Sequence, residues 1–384
     1  MTARDAVIVS AVRTPIGIGK PQRGALSGVH PVDLSAVAIS TLLERTGVDP
    51  TLIEDVAWGC VTQAGEQSLN IGRNAALAAG LPEAVPGMTI DRQCGSSQQA
   101  AQIVAAMVIS GQCDIAIAGG VESMSRAPMF SAVQSADAYG SVADRYQGRL
   151  VPQGISAELM AERWHLERGA LDELAVRSHQ RADLARSTGL FDDEIAPVPT
   201  ADGLVTEDQG IRPTSSLETL AGLPTPFKAD GVVTAGNASQ ISDGAAALLI
   251  TTSEKAAELG LPPLARLHSF AAIGTDPVLM LNGPIAATAR VLDRAGLSMD
   301  DIGAFEVNEA FASVLAAWYI ETGADPELTN PLGGAIALGH PMGASGARLT
   351  TTLVHHMRRN GIRYGLQTMC EGGGMANATV LELV

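Results

Sequence analysis

Four side chains in this sequence stand in local settings that could carry chemistry, and two of them are cysteines. Cys94 opens a long apolar segment at Cys94-Gly-Ser-Ser, and unpaired N–H groups at a helix N-terminus favour a thiolate. His340, in Gly-His-Pro-Met, could accept the proton of a thiol. Cys370 precedes three glycines whose N–H groups could bind an oxyanion, and Asn308 lies between a strand and a helix. Each residue alone is explained equally well as an inert buried cysteine, a capping histidine or an asparagine N-cap.

The composition limits which functions such chemistry could serve. The chain has 384 residues, 46% of them hydrophobic, which suggests roughly two to three domains with a large core. Its formal net charge of −16 would repel a phosphate backbone, so we expect no nucleic-acid partner. The four cysteines are far apart, which predicts neither a zinc site nor a disulfide framework. We find no signal-peptide pattern and no apolar run of membrane-spanning length, so we expect a cytoplasmic protein without a membrane partner.

Helical and strand patterns alternate along the chain. Five predicted helices end at a glycine, which accepts the left-handed conformation of a helix end: Pro31–Thr46, Leu69–Ala79, Gly95–Ser110, Pro284–Ala295 and Gly343–Asn360. Five short apolar runs between them are predicted strands: Ala6–Val12, Val56–Val61, Asp114–Ala118, Ala304–Val307 and Leu366–Cys370. This alternation predicts an α/β fold built on a buried, largely parallel sheet.

A faint internal repeat indicates that the fold is duplicated. The Cys94 segment opens a helix that is followed by a strand and a pair of glycines, and the His340 segment opens a second helix followed by a strand and three glycines. Two such halves facing each other would bring the reactive side chains together. Between them, residues 125–241 are rich in charged, proline and loop residues, including a charged helix predicted over Ala157–Ser187. This composition predicts an inserted, partly exposed subdomain that carries ligand contacts.

Taken together and in this order, the four sites closely resemble the thiolase family. The resemblance covers essentially the whole chain and includes Asn308-Glu-Ala-Phe, Gly-His340-Pro and Cys370-Glu-Gly-Gly-Gly. It extends to other segments: Val12-Arg-Thr-Pro, Gly119-Gly-Val-Glu-Ser-Met-Ser, Thr234-Ala-Gly-Asn-Ala-Ser, Ser242-Asp-Gly-Ala-Ala and Asn282-Gly-Pro. It implies a duplicated thiolase fold with five layers, αβαβα, and an inserted loop-rich subdomain. The expected division is residues 1–124 with 242–263 for the N-terminal half, 125–241 for the loop domain with substrate and CoA contacts, and 264–384 for the C-terminal half.

The resemblance also implies a role for each of the four sites. Thiolases cleave a 3-ketoacyl-CoA with free CoA, or run the reverse condensation of two acyl-CoA molecules. Cys94 would be the nucleophile that becomes acylated, and His340 would accept its proton. Cys370 would protonate the departing enolate and then deprotonate the incoming CoA thiol. One oxyanion hole would consist of His340 and a water held by Asn308, and the other of the backbone amides of Cys94 and Gly372.

Ligands and assembly are implied in the same way. Substrate or CoA contacts are expected at Ser239, Gln153, Met280 and Phe311. No metal and no other cofactor is expected, because CoA is itself a substrate. The expected partners are therefore 3-ketoacyl-CoA and CoA, and the expected assembly is a homodimer or a homotetramer.

Three departures from the family pattern bear on the substrate. Gln153 stands where methionine is frequent, the stretch 125–151 is shorter than in biosynthetic tetramers, and a basic residue near the CoA nucleotide is missing around Leu223–Phe227. They favour a degradative 3-ketoacyl-CoA thiolase that acts on a longer or bulkier acyl group, in fatty-acid or related acyl and steroid side-chain degradation.

The main alternative is a biosynthetic acetoacetyl-CoA thiolase that condenses two acetyl-CoA molecules. An alternative from another class is a non-catalytic acyl-CoA- or lipid-binding protein on a thiolase scaffold. A ketosynthase or HMG-CoA synthase on the same fold fits less well, because Cys370 followed by glycines suits a two-cysteine mechanism.

Overall fold

The computed structural model describes residues 4–384, which form twelve strands and twelve helices. The strands, in chain order, are β1 (Val7–Arg13), β2 (Gly17–Ile18), β3 (Val56–Gly59), β4 (Gly87–Ile90), β5 (Ile115–Ser123), β6 (Val198–Thr200), β7 (Gly203–Val205), β8 (Ser242–Thr251), β9 (Ala265–Gly274), β10 (Ala304–Val307), β11 (Tyr364–Glu371) and β12 (Met375–Leu383). The helices are α1 (Pro31–Thr46), α2 (Ile71–Ala78), α3 (Ser96–Ser110), α4 (Ser141–Arg145), α5 (Gln153–Arg163), α6 (Arg168–Ser187), α7 (Leu217–Ala221), α8 (Ser253–Glu258), α9 (Gly283–Ala295), α10 (Ala312–Thr322), α11 (Ala335–Leu338) and α12 (Met342–Asn360).

Ten of these strands form one continuous mixed sheet. Its order is β10-β11-β12-β9-β1-β8-β5-β3-β4, with β2 paired to β8, while β6 and β7 form a separate hairpin. Only the pairs β3–β4, β3–β5 and β10–β11 are parallel. The prediction of a largely parallel sheet is therefore wrong. It fails because the sequence pattern gives no sign of β8, β9 and β12, which all pair antiparallel with their neighbours.

The sheet consists of two halves with the same pairing pattern. In the first half, β1 pairs antiparallel with β8 and β8 with β5, and parallel pairs then lead through β3 to β4. In the second half, β9, β12, β11 and β10 repeat this series, and a parallel bridge from Phe305 to Thr329 takes the place of a fifth strand. The halves meet where β1 pairs with β9. The duplication expected from the sequence is thus present in the fold, while the residue limits given for the domains stay a prediction.

The helices add three layers to these two halves of the sheet. Helices α3 and α12 lie between the halves and contact strands of both. Helices α1 and α2 cover the outer face of the first half, and α9 and α10 cover the second. Apolar side chains fill the space at each face, so the five layers αβαβα are present as expected. Within residues 4–384, no helix combines the length and the apolar character that crossing a bilayer requires.

The inserted segment between β5 and β8 contains α4 to α7 and the β6–β7 hairpin. A buried ion cluster attaches it to β1: Arg13 donates from Nε to Glu194 Oε1 (2.6 Å) and from Nη1 and Nη2 to the two carboxylate oxygens of Asp208 (2.7 and 2.9 Å). All three side chains are buried, and a buried charge is stable in a protein only when it is paired. The single helix predicted over Ala157–Ser187 is two helices, α5 and α6, separated by a turn at residues 164–167.

Small residues let α3 and α12 meet backbone to backbone at their first turns. A Cβ added to Gly346 would lie 2.2 Å from the backbone nitrogen of Gln98, and Ala347 N donates to Ser97 Oγ (2.9 Å). A Cβ added to Gly120 on β5 would lie 2.1 Å from the carbonyl oxygen of Gly343. The two helices therefore begin side by side, and the residues that precede them emerge at the same end of the central layer.

Replacement of Gly346 by alanine tests this contact. Because the added Cβ would meet backbone that cannot rotate away, we expect Gly346→Ala to destabilise the protein by about 1–3 kcal/mol. Gly169→Ala is the matched control, because Gly169 lies in α6 with open space around its Cα, so its replacement should be neutral or stabilising. Melting monitored by circular dichroism compares the two. Equal melting temperatures would contradict the tight contact.

Candidate active site

A strained turn presents Cys94 at the start of α3. Gln93 has a φ of +50°, which is uncommon for a residue other than glycine. The turn is held by Asp91 Oδ1, which accepts from Gln93 N (2.7 Å), and by Ser96 Oγ, which accepts from Arg92 N (2.9 Å) and donates to Gln93 O (2.6 Å). Strain of this kind is found where a side chain is held in one position for function.

The sulfur of Cys94 is buried, and three N–H groups near it favour its charged form. The donors are its own backbone N–H, the backbone N–H of Gly372 and the side-chain amide of Gln153. They lower the pKa of the thiol, but burial first and then the charge of Glu371 raise it, and the result is a pKa of about 12. The amides near the helix N-terminus favour the thiolate, but burial and the charge of Glu371 outweigh them. In the resting site Cys94 is a thiol, and a base must remove its proton.

His340 has the unprotonated ring nitrogen that such a base requires. Its Nδ1 lies 2.6 Å from Ser345 Oγ, and Ser345 Oγ donates its own proton to Pro341 O (2.9 Å). The Ser345 hydroxyl must then accept from Nδ1–H, which leaves Nε2 unprotonated. Nε2 is buried and has no hydrogen-bond partner in the part of the chain that the structure describes. Burial first and then the charge of Arg348 lower the pKa of His340 to about 3, so the imidazole is neutral at pH 7.

Cys370 is the last residue but one of β11 and lies near Cys94. It is 1% exposed, and its pKa is raised by burial first, then by the charge of Cys94 and that of Glu371. The chain then turns through Gly373 and Gly374, whose φ values of +81° and +77° suit glycine. This turn points the Gly372 N–H at the Cys94 sulfur. The two cysteines and one free amide are thus neighbours, as the two-half arrangement predicts.

Asn308 follows β10 and is fixed through its backbone. Its N–H donates to Thr368 O (3.1 Å), while Nδ2 and Oδ1 of its side chain are buried and have no partner within residues 4–384. The next residue, Glu309, accepts from Ser178 Oγ (2.6 Å) and Ile336 N (3.1 Å) and holds α11 in place. Because a buried amide normally finds a partner, the Asn308 side chain is suited to hold a ligand atom or a water.

A cavity of about 620 Å³ reaches His340, whereas Cys94, Cys370 and Asn308 do not line it. Gln153, Ser239 and Phe311, three of the four residues predicted to contact substrate or CoA, line it together with His340. Met280 is different: it is buried beneath the wall, in the apolar cluster that contains Cys370. Cys94 belongs to one apolar cluster with two methionines that line the cavity, Met124 and Met342.

Sequence reasoning missed the cations at this cavity. Lys20, Arg23 and Arg212 line it, all three are exposed, and none forms an ion pair among the residues described. They come from two segments of the chain, both outside Leu223–Phe227, where the basic residue of some family members is missing. A single exposed basic residue has no sequence pattern that would identify it as a ligand contact. Ser345 and Glu371 were also missed as partners of the reactive groups, although Glu371 lies inside a matched motif and Ser345 only five residues after His340.

Comparison with known proteins gives a consistent result. The family model described as thiolase, N-terminal domain, matches residues 6–254, and that described as thiolase, C-terminal domain, matches residues 261–383. The chain is 48% identical to a steroid 3-ketoacyl-CoA thiolase, FadA6, of Mycobacterium tuberculosis (98% of this chain, 94% of the relative). It is 43% identical to a 3-ketoacyl-CoA thiolase of Bacillus subtilis (99% and 100%). The crystal structure of human mitochondrial 3-ketoacyl-CoA thiolase superposes with a TM-score of 0.91 at 35% identity, over 100% of both chains.

The role of Ser345 can be tested by alkylation of Cys94. Ser345→Ala removes the acceptor that fixes the imidazole tautomer, so we expect alkylation by iodoacetamide at pH 7 to slow by about tenfold, part of the roughly 10²–10⁴-fold that a positioned base contributes. Ser313→Ala is the control, because this buried hydroxyl has no partner among the described residues. Rates are measured on the Cys94 peptide by mass spectrometry. An unchanged rate in Ser345→Ala would show that the hydroxyl does not position His340.

Proposed function

Because the chain belongs to the thiolase family of acyltransferases, we propose that it cleaves 3-ketoacyl-CoA with free CoA, giving acetyl-CoA and a shortened acyl-CoA. The observation that carries the proposal is the pair of buried cysteines, Cys94 and Cys370, beneath a cavity that His340 lines. A reaction that leaves one cysteine acylated needs a second group to move a proton, and Cys370 has the position for it. Relatives named as 3-ketoacyl-CoA thiolases over the full chain support the same reaction.

In the first half-reaction, His340 Nε2 accepts the proton of the Cys94 thiol, and the sulfur attacks the 3-keto carbon of the substrate. The oxygen of that carbon becomes an oxyanion, and the amides of Cys94 and Gly372, which point at the sulfur, are placed to stabilise it. The bond between C2 and C3 then breaks, and its electrons form the enolate of acetyl-CoA. We assign the enolate oxygen to His340 and the Asn308-held water, and Cys370 gives its proton to the enolate carbon.

In the second half-reaction, Cys370 acts as the base while Cys94 carries the acyl group. Cys370, now a thiolate, takes the proton of the incoming CoA thiol, and the CoA sulfur attacks the acyl group on Cys94. The same two amides stabilise the second oxyanion. Collapse releases the shortened acyl-CoA, and Cys94 recovers its proton from His340. No step needs a metal or another cofactor, and CoA enters as a substrate.

The charge distribution around the cavity supports CoA as the ligand. The protein has a net charge of −16, yet Lys20, Arg23 and Arg212 gather at this cavity without carboxylate partners among the described residues. Their charges suit the phosphates of CoA, which must lie outside when its thiol reaches Cys94. Ser239 also lines the cavity, is held by a bond from its N–H to Ala310 O (2.9 Å) and would contact the pantetheine arm.

The residues that line the cavity favour a substrate with an acyl group larger than acetoacetyl. Met124, Met129, Phe227, Phe311 and Met342 give it an apolar lining. Methionine side chains adapt to irregular apolar shapes, and burial of the acyl chain here is favourable at roughly 25 cal/mol per Å². We infer that the substrate comes from the degradation of fatty acids or of related acyl and steroid side chains. We place the enzyme in the cytoplasm.

We also propose that the protein forms a homodimer or a homotetramer. The outer edge of β4 is the open end of the ten-stranded sheet, whereas β10 at the other end is covered by hydrogen bonds to Leu328 and Asn330 (2.8 Å each). Beside β4, Leu69 is 88% exposed, and Asn70 next to it donates to Gly87 O (2.8 Å). An open edge with an exposed leucine is a surface that a second copy of the chain would cover.

Thiolysis of a series of 3-ketoacyl-CoAs, from acetoacetyl to long-chain and ring-bearing acyl groups, tests the function. We expect CoA-dependent formation of acetyl-CoA and the shortened acyl-CoA, higher kcat/KM for larger acyl groups, and loss of at least about 10³-fold of kcat in Cys94→Ala. The control is Cys113→Ala, because Cys113 lies just before β5 and does not line the cavity. Full activity of Cys94→Ala would reject the mechanism. Turnover confined to acetoacetyl-CoA would favour the biosynthetic alternative, and binding without turnover would favour a non-catalytic scaffold.

A further inference from the structure

Glu371 is a buried carboxyl beside the reactive cysteines that no step above uses. It follows Cys370 at the end of β11, and its residue is 0% exposed. Neither Oε1 nor Oε2 has a hydrogen-bond partner within residues 4–384. A charged carboxylate in such a place is costly, and an unpaired one is rarely kept without a reason.

The carboxyl is packed against the backbone that carries Cys94. A Cβ added to Gly95 would lie 2.0 Å from Glu371 Oε1 and 2.8 Å from Asn377 Nδ2, and Asn377 Nδ2 donates to Gly95 O (3.1 Å). Gly95 is the N-cap of α3 and the residue after Cys94. Its lack of a side chain is what gives the glutamate room at this point. Glu371 thus lies at the helix end whose amides are aimed at the nucleophile.

We propose that Glu371 is a positioning residue whose uncharged carboxyl favours the ionisation of Cys94. As a neutral acid it packs under Gly95 and leaves the field of the amides at Cys94 intact. As a carboxylate it places a negative charge beside the sulfur and opposes the thiolate. This inference depends on the proposed function in one respect, which is that Cys94 is the nucleophile.

The surroundings of Glu371 agree with this role. The groups that face it are Arg92, Asp91 and Cys94 from the turn before α3 and Cys370 from its own strand, while β12 contributes the uncharged Met375 and Asn377. Burial raises the pKa of Glu371 to about 8, with Arg92 opposing and Asp91 adding to the rise. Its charge is the second largest cause of the high pKa of Cys94, after burial.

The direction of the effect with pH follows from these charges. Below about pH 8 most Glu371 side chains hold a proton, and Cys94 ionises without a neighbouring charge. Above that pH the carboxylate forms and raises the pKa of Cys94 further, so less thiolate is present than in a site without the charge. The substitution Glu371→Gln keeps the shape and removes the titration.

The experiment is a pH profile of Cys94 alkylation by iodoacetamide, between pH 6 and 10, with the Cys94 and Cys370 peptides separated by mass spectrometry. We expect the ratio of the Glu371→Gln rate to the wild-type rate to be near one at pH 6.5. It should rise to about tenfold at pH 9.5, the effect of one pKa unit. The logarithm of the wild-type rate should bend downward near pH 8, and Glu371→Asp, which keeps a titrating carboxyl, should retain a bend.

A ratio that stays constant over the whole pH range would overturn the proposal, because a merely structural role changes the rate equally at every pH. A ratio of one throughout would overturn it as well. If Glu371→Gln does not fold, as judged by its melting curve, the wild-type profile decides: a profile without a bend below pH 9.5 contradicts the proposal. Alkylation needs no CoA turnover, so failure of thiolysis with the pH-dependent ratio intact would count against the proposed function alone.

Discussion

The contact between the first turns of α3 and α12 determines where every reactive group lies. Gly346 and Ser97 let the two helices touch along their backbones, and Gly120 lets α12 rest on the strand beneath it. Cys94 and His340 directly precede these helices, so the two side chains emerge at one end of the central layer. The duplicated sheet then brings the end of β11, with Cys370 and the Gly372 amide, to the same point. If this contact were lost, the reactive residues would still be present in the sequence, but the fold would not bring them together.

Burial sets the chemistry of that site. Cys94, Cys370, His340 and Glu371 are all held in their neutral forms near pH 7, because charging any of them in a dry environment is costly. The reaction therefore begins from neutral groups and moves protons only between neighbours. Hydrogen-bond donors are already aimed at the sulfur, so they stabilise negative charge as it develops, without reorganisation. The net negative charge of the protein does not change the protonation of these buried groups. Three cations at the cavity are placed to bind an anionic ligand.

Much of the fold was predictable because its signals are local. Helix α1 and strand β10 have the bounds that the sequence predicts, and α3 and α12 end at their glycines. Strand direction depends on topology, which is why β8, whose ten residues are all buried, was missed. The motif order predicted which residues belong to the site, but the pKa of Cys94 depends on Glu371, a charge 277 positions away in the chain that only the fold brings near. The cations at the cavity come from separate loops and had no common pattern.

The most direct measurement is the mass of the enzyme after it is mixed with a 3-ketoacyl-CoA in the absence of free CoA and quenched with acid. The mechanism predicts a covalent acyl group on the Cys94 peptide, with the mass of the substrate acyl chain less its acetyl unit, together with an equal amount of free acetyl-CoA. Addition of CoA should remove the acyl group as the shortened acyl-CoA. Acetyl-CoA release without a covalent enzyme, or an acyl group found on Cys370 and not on Cys94, would contradict the account.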